Sequence, residues 1–196
     1  EWQDVYFQSR DSDIKINGWL FNYFPNRPII IVTHGISPNG KCKSESNIIA
    51  SFLVKKNFNV LTIDLRNYGQ SDTVSSYDDL GLKSYNDILG AFDFLKKIGF
   101  KSKSIGLHGI SLGASTSIFA ANVEPEILAI WADSPLAEFN MILKDEIARY
   151  GLSIEFGPAV SLAGRILTGI DPSELSPAKK LSDKQFYFFT HGDSDT

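Results

Sequence analysis

The residues whose types and spacing could do chemistry are few. Ser111 lies in Gly109-Ile110-Ser111-Leu112-Gly113, behind an apolar run ending at His108 and ahead of a helical segment from Leu112 to Asn122. A strand-turn-helix frame of this kind exposes a serine hydroxyl at a strained bend, and the two glycines let strand and helix close on each other. The chemistry would be nucleophilic. The hydroxyl attacks once a histidine takes its proton, and preorganised N–H donors hold the oxyanion that forms. The Leu112 N–H, at the helix start, is one expected donor. The Ile36 N–H in His34-Gly35-Ile36, which closes an earlier strand, is the other.

A second pattern overlaps that loop. Gly35-Ile36-Ser37-Pro38-Asn39-Gly40-Lys41 has the spacing of a phosphate-binding P-loop, also after a strand and before a helix. Neither short pattern decides alone, so context must. A P-loop needs a Ser or Thr hydroxyl on Mg²⁺ beside its lysine, whereas position 42 is cysteine, a soft ligand that magnesium disfavours. Asp64 could imitate the metal-holding carboxylate, so nucleotide binding stays as a remote alternative.

These residues must be positioned by a layered fold. Val5 to Ser9 and Ile14 to Tyr23 alternate as an antiparallel pair turned by Asp11, Ser12 and Asp13; Val5-Tyr6-Phe7-Gln8-Ser9 is therefore native strand despite its likeness to a protease-site scar. Ile29 to Val32, Val60 to Ile63, Ser104 to Leu107, Ile127 to Trp131 and Phe186 to Phe189 are short, nearly continuous apolar runs, as expected of parallel strands covered on both faces. Helical faces lie between them: Ile48, Ile49, Phe52 and Leu53; Leu82, Tyr85, Ile88, Leu89, Phe92 and Leu95; and Ser115, Ile118 and Phe119. Strands alternating with helices imply right-handed crossovers.

Residues 136–181 exceed one crossover and carry several glycines and prolines, so several short helices are expected there. Ligands in open α/β sheets sit beyond the carboxyl ends of the strands, which makes this insertion a candidate lid or cap; ordinary surface helices are the plain alternative. Phe139, Met141, Ile142, Ile147, Tyr150, Leu152, Ile154 and Phe156 could line an acyl or aromatic pocket, although apolar residues at helical spacing are more often core.

With 196 residues, 43% of them hydrophobic, the chain reads as one globular domain. A net charge of -4 gives no footprint for nucleic acid or for an anionic membrane surface. Cys42, the only cysteine, cannot form an internal disulfide, and no run approaches the ~20 apolar residues of a membrane span, so a cytoplasmic location is expected. No His, Cys or carboxylate cluster has metal-ligand spacing, and the chemistry requires no cofactor or metal. Lys41, Lys43, Lys55, Lys56, Lys96 and Lys97 read as solvated helix ends and loops.

Four ordered features now stand together: His34-Gly35 after a strand, Asp64-Leu65-Arg66-Asn67-Tyr68-Gly69-Gln70-Ser71 after the next, the serine turn, and His191-Gly192-Asp193-Ser194-Asp195 after the last. In this order the sequence resembles, over nearly its whole length, the α/β-hydrolase superfamily, in particular bacterial serine hydrolases of the acyl-esterase and serine-aminopeptidase type. The resemblance implies an α/β fold with a mostly parallel sheet, an N-terminal antiparallel pair and helices on both faces. It implies an acyl-enzyme at Ser111 and a small-molecule ester, or less readily a peptide or amide, as substrate. The Asp64 to Ser71 loop would shape the pocket floor, with a structural rather than a catalytic role. The triad acid would be Asp195, with Asp133 as main rival, more naturally a cap of the next segment; Asp193 would fix its own turn.

The base is the gap. Triad order in this fold is Ser, Asp, His. His34 and His191 each precede a glycine at a strand end, where a turn role is favoured, and His108 should point into the fold. The resemblance therefore implies that the family's last strand, its histidine loop and final helix are missing after Thr196, and that 1–196 is an incomplete hydrolase domain with Phe186 to Phe189 at an open edge. A noncatalytic binding module with a vestigial pocket is the alternative of a different class. Substrate identity and oligomeric state leave no mark in the sequence.

Overall fold

The computed structural model describes residues 1–171 and 174–193. Among them, seven strands form one sheet in the order β1-β2-β4-β3-β5-β6-β7. The strands are β1 (Gln3–Gln8), β2 (Lys15–Phe21), β3 (Ile29–Thr33), β4 (Asn59–Ile63), β5 (Ile105–Ile110), β6 (Ala129–Asp133) and β7 (Phe186–Thr190). β1 pairs antiparallel with β2, and β2 with β4; every later pairing is parallel. Five α-helices accompany them: α1 (Ser44–Lys55), α2 (Tyr85–Lys97), α3 (Leu112–Val123), α4 (Phe139–Arg149) and α5 (Gly157–Thr168).

The apolar runs make the central strands. All five residues of β4 are buried, and Ile29, Ile31, Leu61, Ile63 and Leu107 join Ile88, Leu89, Phe92 and Leu95 of α2 in one core. α2 presents the face that its periodicity predicts. α1 does so only in part: Leu53 is buried and Ile49 packs against the core beside Ala50, while Ile48 and Phe52 are exposed. Ser46 and Ala50 complete the inward stripe, and their small side chains let the helix approach β3 and β4 closely.

α3 differs again. Leu112 to Ala121 are all buried, so no polar face exists to generate an amphipathic signal. Its small residues permit this, and its hydroxyls are satisfied one turn back: Thr116 Oγ1 donates to the Leu112 carbonyl and Ser117 Oγ to the Gly113 carbonyl, both at 2.7 Å. β7 corrects the expectation of strands covered on both faces. Phe186, Phe188 and Phe189 are exposed, because β7 is the edge strand of the described sheet and pairs only with β6. Residues 136–181 do contain short helices, α4 and α5 with 3₁₀ turns at Ile154–Phe156 and Pro177–Lys180.

Candidate active site

Ser111 occupies the bend between β5 and α3 at φ 52°, ψ −111°, a left-handed backbone that non-glycine residues adopt only under constraint. The constraint is packing. A Cβ on Gly109 would lie 2.2 Å from the Gly113 carbonyl oxygen, and one on Gly113 would lie 2.5 Å from the Thr33 carbonyl oxygen at the end of β3. The Ser111 N–H donates to the Asp133 carbonyl at 2.8 Å, tying the bend to β6. Its hydroxyl caps no helix N–H and the residue is exposed, so the side chain stands clear of the turn that holds it.

The His34-Gly35-Ile36 loop passes directly beside this bend: a Cβ on Gly35 would be 3.4 Å from Ser111 Cβ. Both ends of the loop are fixed to residues that follow β4. At the start, His34 Nε2 accepts the Leu65 N–H at 3.1 Å, which leaves Nδ1 protonated to donate to the Gly35 carbonyl at 2.7 Å. Burial holds the His34 pKa below its ordinary value, so the ring is neutral and structural. At the far end, the Asp64 carboxylate accepts the Lys41 N–H at 2.5 Å, the Lys41 ammonium at 2.6 Å and the Gln70 N–H at 2.9 Å. Gly40 and Gly69, both at positive φ, close over that carboxylate where any Cβ would collide with it.

This arrangement corrects three readings. Lys41 is not a solvated lysine but is buried, with its ammonium 4.8 Å from the Trp19 ring centroid. Its engagement with Asp64 also removes the P-loop reading, since neither the lysine nor the carboxylate is available to a phosphate or a metal. The Asp64 to Ser71 loop is structural, as expected, but it does not form the pocket floor: Arg66 pairs with buried Asp87 at 2.7 Å, and none of these residues lines the Ser111 cavity.

That cavity, of about 600 Å³, is bounded by Ile36, Ser111, Leu112 and Ser115 on the sheet side and by Ser134, Pro135, Leu136 and Ala137 after β6. Phe139, Met141, Ile142 and Asp145 of α4, with Glu138 before it, form the opposite wall, and Leu80 and His191 complete it. Leu112 opens α3, so its N–H falls in the first helical turn, where no intrahelical acceptor exists. Of the eight apolar residues singled out for a pocket or core, Phe139, Met141 and Ile142 line the cavity and Ile147 is buried. Tyr150, Leu152, Ile154 and Phe156 do neither and lie in solvent.

Asp195 lies outside the described residues. Asp133 ends β6, where its carboxylate accepts the Thr190 hydroxyl at 2.9 Å; it joins β6 to β7 and does not cap the following segment. Thr190 in turn accepts from Trp131 Nε1 at 3.0 Å. His108 is fully buried against Trp131, 4.3 Å between ring centroids, and neither ring nitrogen has a hydrogen-bond partner among the described residues. Burial, partly offset by Asp133, pushes its pKa down to about 4. Of the three histidines, His191 is the one lining the cavity, a placement its His-Gly context did not signal. Leu80 and Ser134, at φ 52° and 50°, were also missed, because left-handed backbone at such residues leaves no sequence mark. Among the described residues, no group of three or more His, Cys, Asp or Glu could hold a metal ion, and no helix is long and apolar enough to cross a membrane.

A family model described as alpha/beta hydrolase fold matches residues 28–157, and the chain belongs to that family. Curated relatives include the thiohydrolase aneE of Aspergillus aculeatus, 29% identical over 138 residues, covering 70% of this chain and 42% of the relative. The polyketide transferase ATR5 of Stachybotrys chlorohalonatus is 28% identical over 139 residues, covering 70% of this chain and 46% of the relative. The chain thus spans less than half the length of these two proteins. Among solved structures, the Pyrococcus furiosus esterase Pf2001 superimposes with a TM-score of 0.69 at 24% identity, covering 96% of this chain and 69% of that one. Another structure of the same esterase aligns at 31% identity and a TM-score of 0.60, over 69% of this chain and 51% of that one.

Proposed function

We propose that the protein is a serine hydrolase that cleaves a carboxylic ester through an acyl-enzyme at Ser111. The observation that carries this reading is the Ser111 bend: an exposed hydroxyl on a strained, glycine-locked turn at the mouth of a largely apolar cavity. Ser111 Oγ attacks the acyl carbon while its proton passes to a histidine base. The carbonyl oxygen becomes an oxyanion, held by the N–H groups of Ile36 and Leu112. The alcohol leaves with that proton, and water then attacks the acyl-enzyme by the same route, restoring the serine and releasing the acid. Asp195 is the proposed partner that orients the base. Residues 136–181 act as a cap over the cavity. The thiohydrolase and esterase names among the relatives fit acyl transfer to a serine, with a thiol or an alcohol as leaving group.

A fluorophosphonate probe on the whole protein tests this. Labelling is expected at Ser111, located by peptide mass spectrometry, and is lost in a folded Ser111→Ala variant together with a thousandfold or greater loss of ester hydrolysis, on the order of losses at other serine nucleophiles. Equal labelling of the variant would sink the assignment. A folded wild type inert to both probe and esters would favour a noncatalytic binding module.

A further inference from the structure

A second cavity, of about 170 Å³, lies between the segment around Leu80 and the inner face of α5, with Leu143, Val160, Gly164 and Ile170 among its walls. It shares two wall residues, Leu80 and Phe139, with the cavity at Ser111. We propose that the two cavities are successive compartments of one acyl channel divided by Leu80 and Phe139, and that the acyl group is an unbranched aliphatic chain long enough to pass them. This rests on the reading of Ser111 as nucleophile.

The distal compartment offers hydrocarbon walls and few polar anchors. Asp78 at its edge is engaged, accepting the Tyr68 hydroxyl and the Leu80 N–H, both at 2.6 Å. Burial holds that carboxyl above its usual range. Thr168 Oγ1 donates to the Gly164 carbonyl at 2.8 Å, leaving Ser161 as the other hydroxyl in the wall. Engineered apolar cavities of roughly 150 Å³ accept benzene, so this space suits the six-carbon end of a chain rather than a whole substrate.

The dividing wall is built, not incidental. Leu80 stands at φ 52°, a left-handed backbone unfavourable for a side chain of its size. It is held there by its bond to Asp78 and by Gly81, at φ 97°, where a Cβ would come within 3.0 Å of Phe119 and Thr116 in α3. The same segment is tied to α5, since the Tyr77 hydroxyl donates to the Thr168 carbonyl at 2.7 Å. Opposite Leu80, α5 turns small residues inward: Ser161, Gly164 and Thr168 line the compartment, and a Cβ on Gly164 would meet nothing within 4 Å.

Calorimetric titration of the protein with 2-alkanones of five to eleven carbons tests the channel. These neutral ketones carry the ester's carbonyl without a leaving group, so binding requires no chemistry at Ser111. Affinity is expected to rise about threefold to fourfold for each methylene buried. Gly164→Phe, which fills the open space from α5, is expected to weaken 2-undecanone at least tenfold and to leave 2-pentanone within twofold. Affinity independent of chain length in the wild type, or an equal effect of Gly164→Phe on all lengths, would overturn the proposal. Fluorophosphonate labelling keeps the two readings apart. Ser111 labelled with flat ketone affinity removes the channel alone, whereas a length-dependent profile without labelling removes the nucleophile and leaves a hydrocarbon site.

Discussion

Gly109 and Gly113 flank the Ser111 bend, and Gly164 lines the smaller cavity beside α5, yet their surroundings are opposite. At the first two, a Cβ would meet backbone at 2.2 and 2.5 Å; at the third it would meet nothing within 4 Å. Around Ser111 the chain is packed to the limit by β3, β5, β6 and α3, and that density is what holds an unfavourable backbone angle in place. Around α5 the packing is open on both faces: Leu162, Ile166 and Leu167 are exposed, and the inner face borders a cavity. Under the proposed function, rigid placement of the nucleophile and room for the substrate need these two kinds of packing, and glycine serves both, once by admitting backbone and once by leaving space.

The sharpest way to break the comparison is to add a methyl group on the dense side. Gly113→Ala is expected to cost about 3 kcal/mol, because the methyl meets carbonyl oxygens that cannot turn aside. Urea unfolding at unchanged m-value reads this, and a cost below about 0.5 kcal/mol would contradict the packing described.

A comparable effect comes from His108, buried on β5. Its folded pKa, about 4, is depressed from an unfolded value of 6.5, so the unfolded chain binds more protons between these limits. Its contribution is full above pH 6.5 and is lost as pH falls towards 4, by about 3 kcal/mol in all. Denaturant titrations between pH 7.5 and 4 should show a shallower acid limb in His108→Leu than in the wild type; parallel limbs would remove the claim. The smallest effect lies on the open side. Gly164→Ala is expected to stabilise by about 0.5–1 kcal/mol, the ordinary gain of alanine in a helix interior, read as a raised urea midpoint.

The same division governs what was legible in the sequence. The Ser111 bend could be read because its signature is local: a strand, a glycine two residues to either side of the serine, and a helix, all within one short segment. The face of α2 was legible for the same reason. Lys41 was not, because its burial depends on Asp64, brought under it by β4, and on Gly69, whose missing side chain leaves room for that carboxylate. α1 misled because its apolar residues outnumber those the sheet can cover, and α3 gave little signal because every side is buried.

By itself, then, the sequence determined the order of elements and the position of a strained serine, since periodicity and glycine spacing act between near neighbours. Only the tertiary structure decided which groups share the Ser111 cavity. Leu80, Phe139 and His191 come from three separate segments, and nothing in their local spacing refers to one another. Their meeting is set by the strand order of the sheet and by the path of the chain after β6, where contacts between distant residues outweigh local preference.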